Sequence, residues 1–152
     1  MVWYNRGKFV ILDASAAGVG EAPLALLLDI VKVALIEAAY TFDNDHEQFD
    51  EVTNEGTATN YVTRGNALGT KATTQDNTGD RAEFDAADTV FSSLGNGGNM
   101  TFTQIVILRE QDAGPTAANS ELMAHSAVGS TTSNGGDVTM VWNAEGILQI
   151  TA

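Results

Sequence analysis

The stretch Met100-Thr-Phe-Thr-Gln-Ile-Val-Ile-Leu-Arg109 decides the fold class. Successive side chains of a strand point to opposite faces of a sheet, so alternate residues share a face. Both faces carry large aliphatic side chains here: Val106 and Leu108 on one, Ile105 and Ile107 on the other. A strand that is apolar on both faces is typical of a position in the middle of a sheet. The stretch therefore predicts a central strand.

Further strand-like segments lie on both sides of this stretch. Ile30–Glu37 is rich in β-branched residues and favours a strand, although its periodicity alone would also fit a helix. Lys71–Gln75 and Arg81–Asp85 flank Asp76-Asn-Thr-Gly-Asp80, whose residues suit a turn. Four shorter strands are predicted at Thr89–Ser93, Leu122–Ala127, Asp137–Trp142 and Ile147–Thr151. A Gly114-Pro115 turn precedes the second of them, and the tight turn Asn143–Gly146 joins the last two.

Helical signals are confined to the first third of the chain. Trp3–Ser15 predicts a short helix with Asn5 as a candidate cap, Ala14–Pro23 predicts a connection, and Pro23–Asp29 suits one helical turn. In the acidic section, Asp43 or Asn44 is expected to cap a short helix that runs to about Val52. Gly56–Gly69 is polar and is predicted to be a loop. We expect one mainly β domain over residues 1–152, an antiparallel β-sandwich or jelly-roll-like fold with one or two short helices near the amino terminus.

The charge balance excludes several classes of function. Of the 152 residues, 7 are Lys or Arg and 20 are Asp or Glu, which gives a formal net charge of −13. Phosphate binding needs clustered cations, so direct contact with nucleic acid or with an anionic membrane is not expected. The chain has no cysteine, so it has no disulfide and no thiol nucleophile. The first residues lack the apolar core of a secretory signal, and we expect a soluble protein without a leader.

The acidic section imitates a calcium-binding loop without completing it. Asp43-Asn-Asp45-His-Glu47 places alternate oxygens as such a loop does. The sixth position is Gln48, where the sharp bend needs glycine, and the twelfth is Asn54, where a bidentate glutamate is needed. We therefore expect a solvated acidic surface here and no metal site.

The remaining polar residues form no recognisable catalytic pattern. Asp85 and Asp88 flank a predicted strand and suit turns better than a carboxylate pair for glycoside hydrolysis. His46 and His125 lack metal-ligand spacing, and His125 is expected to be a structural or interface residue. The glycines of Gly18-Val-Gly20 and Gly95–Gly98 lack the residues that complete nucleotide-binding motifs. We expect no enzymatic activity and no cofactor.

The aromatic pair Trp3-Tyr4 stands close to the amino terminus. Terminal residues are usually poorly ordered unless something holds them, so such a pair is expected to dock onto its own domain or onto a neighbouring chain. Trp3, Tyr4 and Phe9 are therefore the candidate interface residues, and residues 1–20 are a candidate docking segment.

Several segments together carry a resemblance to a known group. They are Trp3–Lys8, Ile30–Leu35, Tyr40–Asp43, the acidic His46–Glu55, Phe84–Asp88 and the closing Gly136–Leu148. In this order they resemble small virion structural proteins of tailed bacteriophages. The likeness extends over most of the chain and departs from the group at Ala14–Leu27, which is longer and richer in alanine.

This resemblance implies a capsid decoration (cement) protein that binds the outer surface of the head shell and stabilises it. The implied partners are the major capsid protein and further copies of the chain, as a homotrimer or homodimer, on a virion assembled from protein made in the host cytoplasm. The amino-terminal aromatic segment and an apolar sheet face are expected to make the contacts, while acidic loops face solvent. Removing residues 1–8 is expected to abolish particle binding and to leave the fold intact. The alternatives are a tail or fibre component that contacts the host surface and, less favoured, a carbohydrate-active enzyme.

Overall fold

The chain is mainly β, with antiparallel sheets and one small α-helix, as predicted. The computed structural model describes residues 1–12, 26–27, 29–110 and 116–151, without the side chains of residues 9–12. The elements are β1 (Val2–Trp3), α1 (Asn5–Leu12), β2 (Ile30–Ile36), β3 (Asn66–Ala67), β4 (Ala72–Asp76), β5 (Arg81–Asp85), β6 (Thr89–Phe91), β7 (Thr101–Glu110), β8 (Ser120–Thr132), β9 (Val138–Met140) and β10 (Leu148–Thr151). Short 3₁₀ helices cover Phe49–Glu51 and Ala117–Asn119.

The largest sheet has five strands in the order β1-β8-β7-β2-β3, and every neighbouring pair in it is antiparallel. β7 is the middle strand, where Ile107 pairs with Val33 of β2 and with Ala124 of β8. Its residues from Ile105 to Glu110 are all buried. The central strand predicted at Met100–Arg109 is thereby confirmed.

Hydrophobic clusters cover both faces of the five-stranded sheet. One face packs Val33, Leu35 and Ile107 into a cluster that also contains Phe84 of β5 and Leu148 of β10. The other face packs against Tyr4 and against the segment between β2 and β3 to form a second cluster. The residues of the sheet in this cluster are Ala34, Ile36, Val106, Leu108 and Leu122, and those of the segment are Tyr40, Phe49 and Val52. The alternation seen in the sequence thus separates two clusters, one on each side of the sheet.

The remaining strands form two smaller sheets, β10-β5-β4 and β6-β9. The turn predicted after Gln75 joins β4 to β5, whose residues Asp76 and Arg81 pair across it. The turn predicted at Asn143–Gly146 is also present, with a bond of 2.9 Å from the Gly146 N–H to the Asn143 carbonyl. The two strands that it joins do not pair with each other, because β9 pairs with β6 and β10 pairs with β5.

The helical predictions are only partly correct. α1 begins at Asn5, and Trp3 belongs to β1 instead of the helix. The helix in the acidic section is a 3₁₀ turn with Gln48 at its N-cap position, so neither Asp43 nor Asn44 caps it. Asp43 Oδ1 instead accepts the Asp45 N–H at 3.0 Å. The predicted loop Gly56–Gly69 contains the short strand β3. Three of the predicted features lie outside the described residues: the connection Ala14–Pro23, most of Pro23–Asp29 and the Gly114-Pro115 turn.

Candidate interface segment at the amino terminus

A bulge in β8 positions the amino-terminal segment, by which we mean residues 1–12. Ile107 pairs with Ala124 and Leu108 pairs with Leu122, so Met123 has no partner across the β7–β8 ladder. Its carbonyl accepts the Tyr4 N–H at 3.2 Å. A Cβ added to Gly7 would lie 2.9 Å from Met123 Cα, which means that α1 approaches the bulge as closely as glycine permits. The sequence gives no local sign of this bulge.

Tyr4 docks onto its own domain, one of the two outcomes that the sequence left open. The side chain is fully buried, and its hydroxyl lies 3.0 Å from the Tyr40 hydroxyl. Its ring centroid is 5.0 Å from that of Phe42. Burial, followed by the hydrogen bond to Tyr40, raises the pKa of Tyr4 above its usual value, so the phenol remains protonated. In this conformation its ring is not available to a partner.

Trp3 and Phe9 are placed differently. The Trp3 side chain is half-buried against the first cluster, and its indole N–H donates to the Gln149 carbonyl at 3.3 Å. It thereby links β1 to β10, an edge strand of the three-stranded sheet. Phe9 belongs to α1, and its side chain lies outside the described residues.

Buried charges attach the same segment to the sheet. Arg6 Nη2 lies 2.6 Å from Oε1 of Glu121, whose side chain is fully buried in β8. The other oxygen of Glu121 lies 3.1 Å from Arg109 Nη1, and Arg109 Nε lies 3.2 Å from Asp29 Oδ2. A buried carboxylate is tolerated only when it is paired, so Arg6 supports the fold as well as the terminus. The expectation that residues 1–8 can be removed with the fold intact therefore conflicts with the burial of Tyr4 and with this ion pair.

A second group of charges lies where β2 meets β7. Glu110 Oε1 is 2.7 Å from Lys32 Nζ and 2.9 Å from Arg64 Nε. Burial opposes ionisation of Glu110, but the hydrogen bonds from these two cations outweigh it and lower the pKa of the carboxyl. Nearby, Glu55 accepts the Tyr61 O–H at 2.9 Å and the Arg64 N–H. For Glu55 burial dominates and raises the pKa despite those bonds.

These pairs leave the outer surface acidic. The cations that form ion pairs inside the chain are Arg6, Lys32, Arg64, Arg81 and Arg109. The segment from the end of β2 through the 3₁₀ turn at Phe49–Glu51 instead exposes acids, namely Asp43, Asp45, Glu47, Asp50 and Glu51. The sequence predicts the excess of acids, but nothing local in it shows which acids are paired with cations.

Both histidines of the chain lie beside Tyr40. The Tyr40 hydroxyl is 3.2 Å from His46 Nδ1, and the Tyr40 ring centroid is 6.1 Å from that of His125. His125 is 8% exposed, and its Nε2 lies 2.7 Å from Gln104 Oε1. His125 thus has a structural place in this chain, which is one of the two roles expected for it.

The other residues weighed from the sequence have local roles. Asp88 Oδ1 accepts the Trp142 N–H at 3.1 Å, while Asp85 pairs with Ala72 in the β4–β5 ladder. The Gly98 N–H donates to the Gly95 carbonyl in a turn. Gly18-Val-Gly20 lies outside the described residues. Within the described ranges, no three His, Asp or Glu side chains form a group that could hold a metal ion.

Comparison with known proteins adds no assignment. No family model matches the chain, and neither a curated protein nor a solved structure shows significant similarity to it. Among the residues that the structure describes, no helix has the length and apolar character needed to cross a membrane.

Proposed function

We propose that the chain is a bacteriophage virion structural protein and, more specifically, a capsid decoration protein on the head shell. The observation that carries this proposal is the state of β4. It is an edge strand of its sheet, and Ala72, Thr73, Thr74 and Gln75 are all exposed. Such a strand presents unpaired N–H and C=O groups, to which a strand of another chain can add.

The charge distribution favours β4 as a contact element in an acidic chain. β4 carries one charged residue, Asp76, and the Asp76 carboxylate accepts the Thr78 and Gly79 N–H groups and lies 3.2 Å from Arg81 Nε. The exposed acids between β2 and the 3₁₀ turn would instead repel a second copy of the chain. A partner therefore meets less repulsion at β4 than at that segment.

The proposed mechanism is stabilisation by mass action. A protein that binds the assembled shell and not its dissociated subunits shifts the equilibrium towards the shell. Several contacts from one oligomer strengthen this effect, because each bound subunit raises the effective concentration of the next. The proposed partners are the major capsid protein and further copies of this chain, as a homotrimer or homodimer on the particle surface.

The proposal includes a β-sandwich or jelly-roll-like arrangement of the sheets. Its support is the shared hydrophobic cluster, in which Phe84 and Leu148 of the three-stranded sheet pack with Val33 and Ile107 of the five-stranded sheet. The indole bond from Trp3 to Gln149 adds a polar contact between the same two sheets.

A partner can reach only part of the amino-terminal segment, because Tyr4 is not accessible. Met1 and Val2 are 46% and 54% exposed, whereas Tyr4 is buried in its own chain. A contact made by this segment would therefore use its first two residues and the accessible edge of Trp3. We also propose Phe9 as an interface residue, as the sequence suggested.

A change of charge on β4 tests the proposal. Thr74→Lys places a cation on the exposed edge strand, a device by which natural proteins block strand addition. We expect it to weaken binding to expanded phage head shells by at least about tenfold, or about 1.4 kcal/mol. The free energy of unfolding should change by less than about 0.5 kcal/mol, as is usual at exposed sites.

The matched control is Thr63→Lys, which makes the same change at an exposed position outside β4. It should bind shells as the unchanged chain does. Equal binding by Thr74→Lys would remove β4 from the interface. Imaging of labelled protein on tails and not on heads would replace the decoration proposal by the tail or fibre alternative.

A further inference from the structure

The environment of His125 fixes which of its nitrogens carries the proton. The Gln104 amide nitrogen donates to the carbonyls of Glu37 and Tyr40, at 3.2 and 2.9 Å. Its oxygen therefore faces His125 Nε2, at 2.7 Å. Because an amide oxygen only accepts, Nε2 must be the protonated nitrogen of the neutral ring. The neutral form thus satisfies the hydrogen bond, and a second proton would have to go to Nδ1.

The surroundings of His125 suit the neutral ring better than the cation. The ring stacks on Phe42, with centroids 4.6 Å apart and planes 19° apart. Val106 of β7 and Val2 of β1 pair with it on either side. Burial lowers the pKa of His125, and the positively charged amino terminus on β1 lowers it further.

The elements packed around His125 carry titratable groups of both signs. The amino terminus precedes β1, and α1 carries Arg6 and Lys8. The segment after β2 carries Tyr40, His46 and several acids, namely Glu37, Asp43, Asp45, Glu47, Asp50 and Glu51, of which the last five are exposed. β7 contributes only the neutral Gln104 and Val106 at this place. Burial is the main factor that disfavours an imidazolium at His125.

From this geometry we propose that His125 is a pH-sensitive latch, whose protonation loosens the amino-terminal segment from β8. β1 pairs with β8 at two positions and is joined to β10 by the Trp3 indole bond, and its departure would admit water to the imidazolium and separate it from the amino terminus. The contact with Phe42 has no reason to break, because a cation is attracted to an aromatic face. The segment around Phe42 is therefore expected to stay while β1 leaves.

The sign of the pH dependence follows from the lowered pKa. The released state binds the proton more readily than the docked state, so docking is fully favoured above the ordinary histidine pKa, near 6.5. It weakens as the pH falls through and below that value. We expect a local release, because the second proton goes to Nδ1 and leaves the hydrogen bond between His125 Nε2 and Gln104 of β7 in place.

Amide hydrogen exchange, expressed as protection factors, tests the latch. The reporter is the Tyr4 N–H, which donates to the Met123 carbonyl, and the reference is the Ile107 N–H in β7. Between pH 7.5 and 5 we expect Tyr4 protection to fall about tenfold, while Ile107 protection stays constant. Titration of the His125 ring by NMR should give a pKa below 6.5.

Two variants separate His125 from other titrating groups. His125→Gln cannot titrate, yet its amide can still donate to Gln104, so Tyr4 protection should stay constant with pH. His46→Gln changes the other histidine and should keep the response of the unchanged chain. Constant Tyr4 protection in the unchanged chain would overturn the latch, as would the same loss in His125→Gln. If that variant does not fold, a His125 pKa at or above 6.5 in the unchanged chain overturns it independently.

Discussion

At the scale of single residues, paired buried charges connect parts of the chain that are far apart in sequence. Glu121 forms ion pairs with both Arg6 and Arg109, and Glu110 forms ion pairs with both Lys32 and Arg64. Since a lone buried charge is costly, each carboxylate makes its cations compatible with burial.

Glu121→Gln should be among the most destabilising single changes in the chain. It keeps the shape of the side chain but leaves Arg6 and Arg109 without this counter-charge. We expect the free energy of unfolding to fall by about 3–5 kcal/mol, measured by urea denaturation. Glu145→Gln is the control, because that side chain is 60% exposed and lies 3.5 Å from Arg81. The control should change stability by no more than about 1 kcal/mol, and equal effects of the two variants would contradict the role of burial.

Glu110 gives the chain a pH dependence on the acid side. Its pKa is lower in the folded chain than the ordinary value of about 4.3. Its contribution is therefore fully present above that value and is lost as the pH falls through the lowered pKa. Glu110→Gln should make the fall in unfolding free energy between about pH 5 and pH 3 shallower, as measured by urea titrations at each pH. An unchanged slope would contradict the assignment.

Little of this residue-scale chemistry could be predicted from the sequence. The excess of acids and the aromatic pair Trp3-Tyr4 were visible, and docking of the pair onto its own domain was one of two expected outcomes. The partners were not visible, because Arg6 and Glu121 are 115 positions apart and no spacing rule connects them. The adjacent charges Arg109 and Glu110, which end an apolar strand, are a sequence signal from which buried ion pairs could have been predicted.

At the scale of elements, the strands with strong local patterns were predicted and the pairing of the weaker ones was not. β7 and the β4–β5 hairpin follow from side-chain alternation and turn residues, which act within a few positions. β9 and β10 are joined by a tight turn and yet pair with β6 and β5. A turn brings two segments close, but burial of Phe84 and Leu148 in the shared cluster decides the partner.

Gly7→Ala tests the contact between α1 and the bulge of β8. In an isolated helix this change would stabilise by about 1 kcal/mol, since glycine has the greater backbone freedom. Here the new Cβ would lie 2.9 Å from Met123 Cα and closer still to the Met123 carbonyl oxygen, so the clash should prevail and lower the unfolding free energy. Gly129→Ala in β8 is the control, because nothing lies within 4 Å of its Cβ position. Stabilisation by Gly7→Ala would contradict the close approach.

At the scale of the whole molecule, the chain combines a neutralised interior with an acidic exterior and an exposed edge strand. Cations are paired inside, exposed acids cluster between β2 and the 3₁₀ turn, and β4 offers a surface with a single charge. The proposed decoration role rests on this arrangement together with the resemblance of the sequence to small phage virion proteins. The His125 latch stands independently of that role, since it concerns docking of the amino-terminal segment within one chain.

Sedimentation of the purified chain with expanded phage head shells tests the central claim most directly. We expect the chain to pellet with the shells at a saturable, fixed ratio to the major capsid protein. We also expect it to raise the temperature at which the shells dissociate. Thr63→Lys should do the same, and Thr74→Lys should remain largely in the supernatant. A chain that stays in the supernatant as a monomer and leaves shell dissociation unchanged would contradict the account.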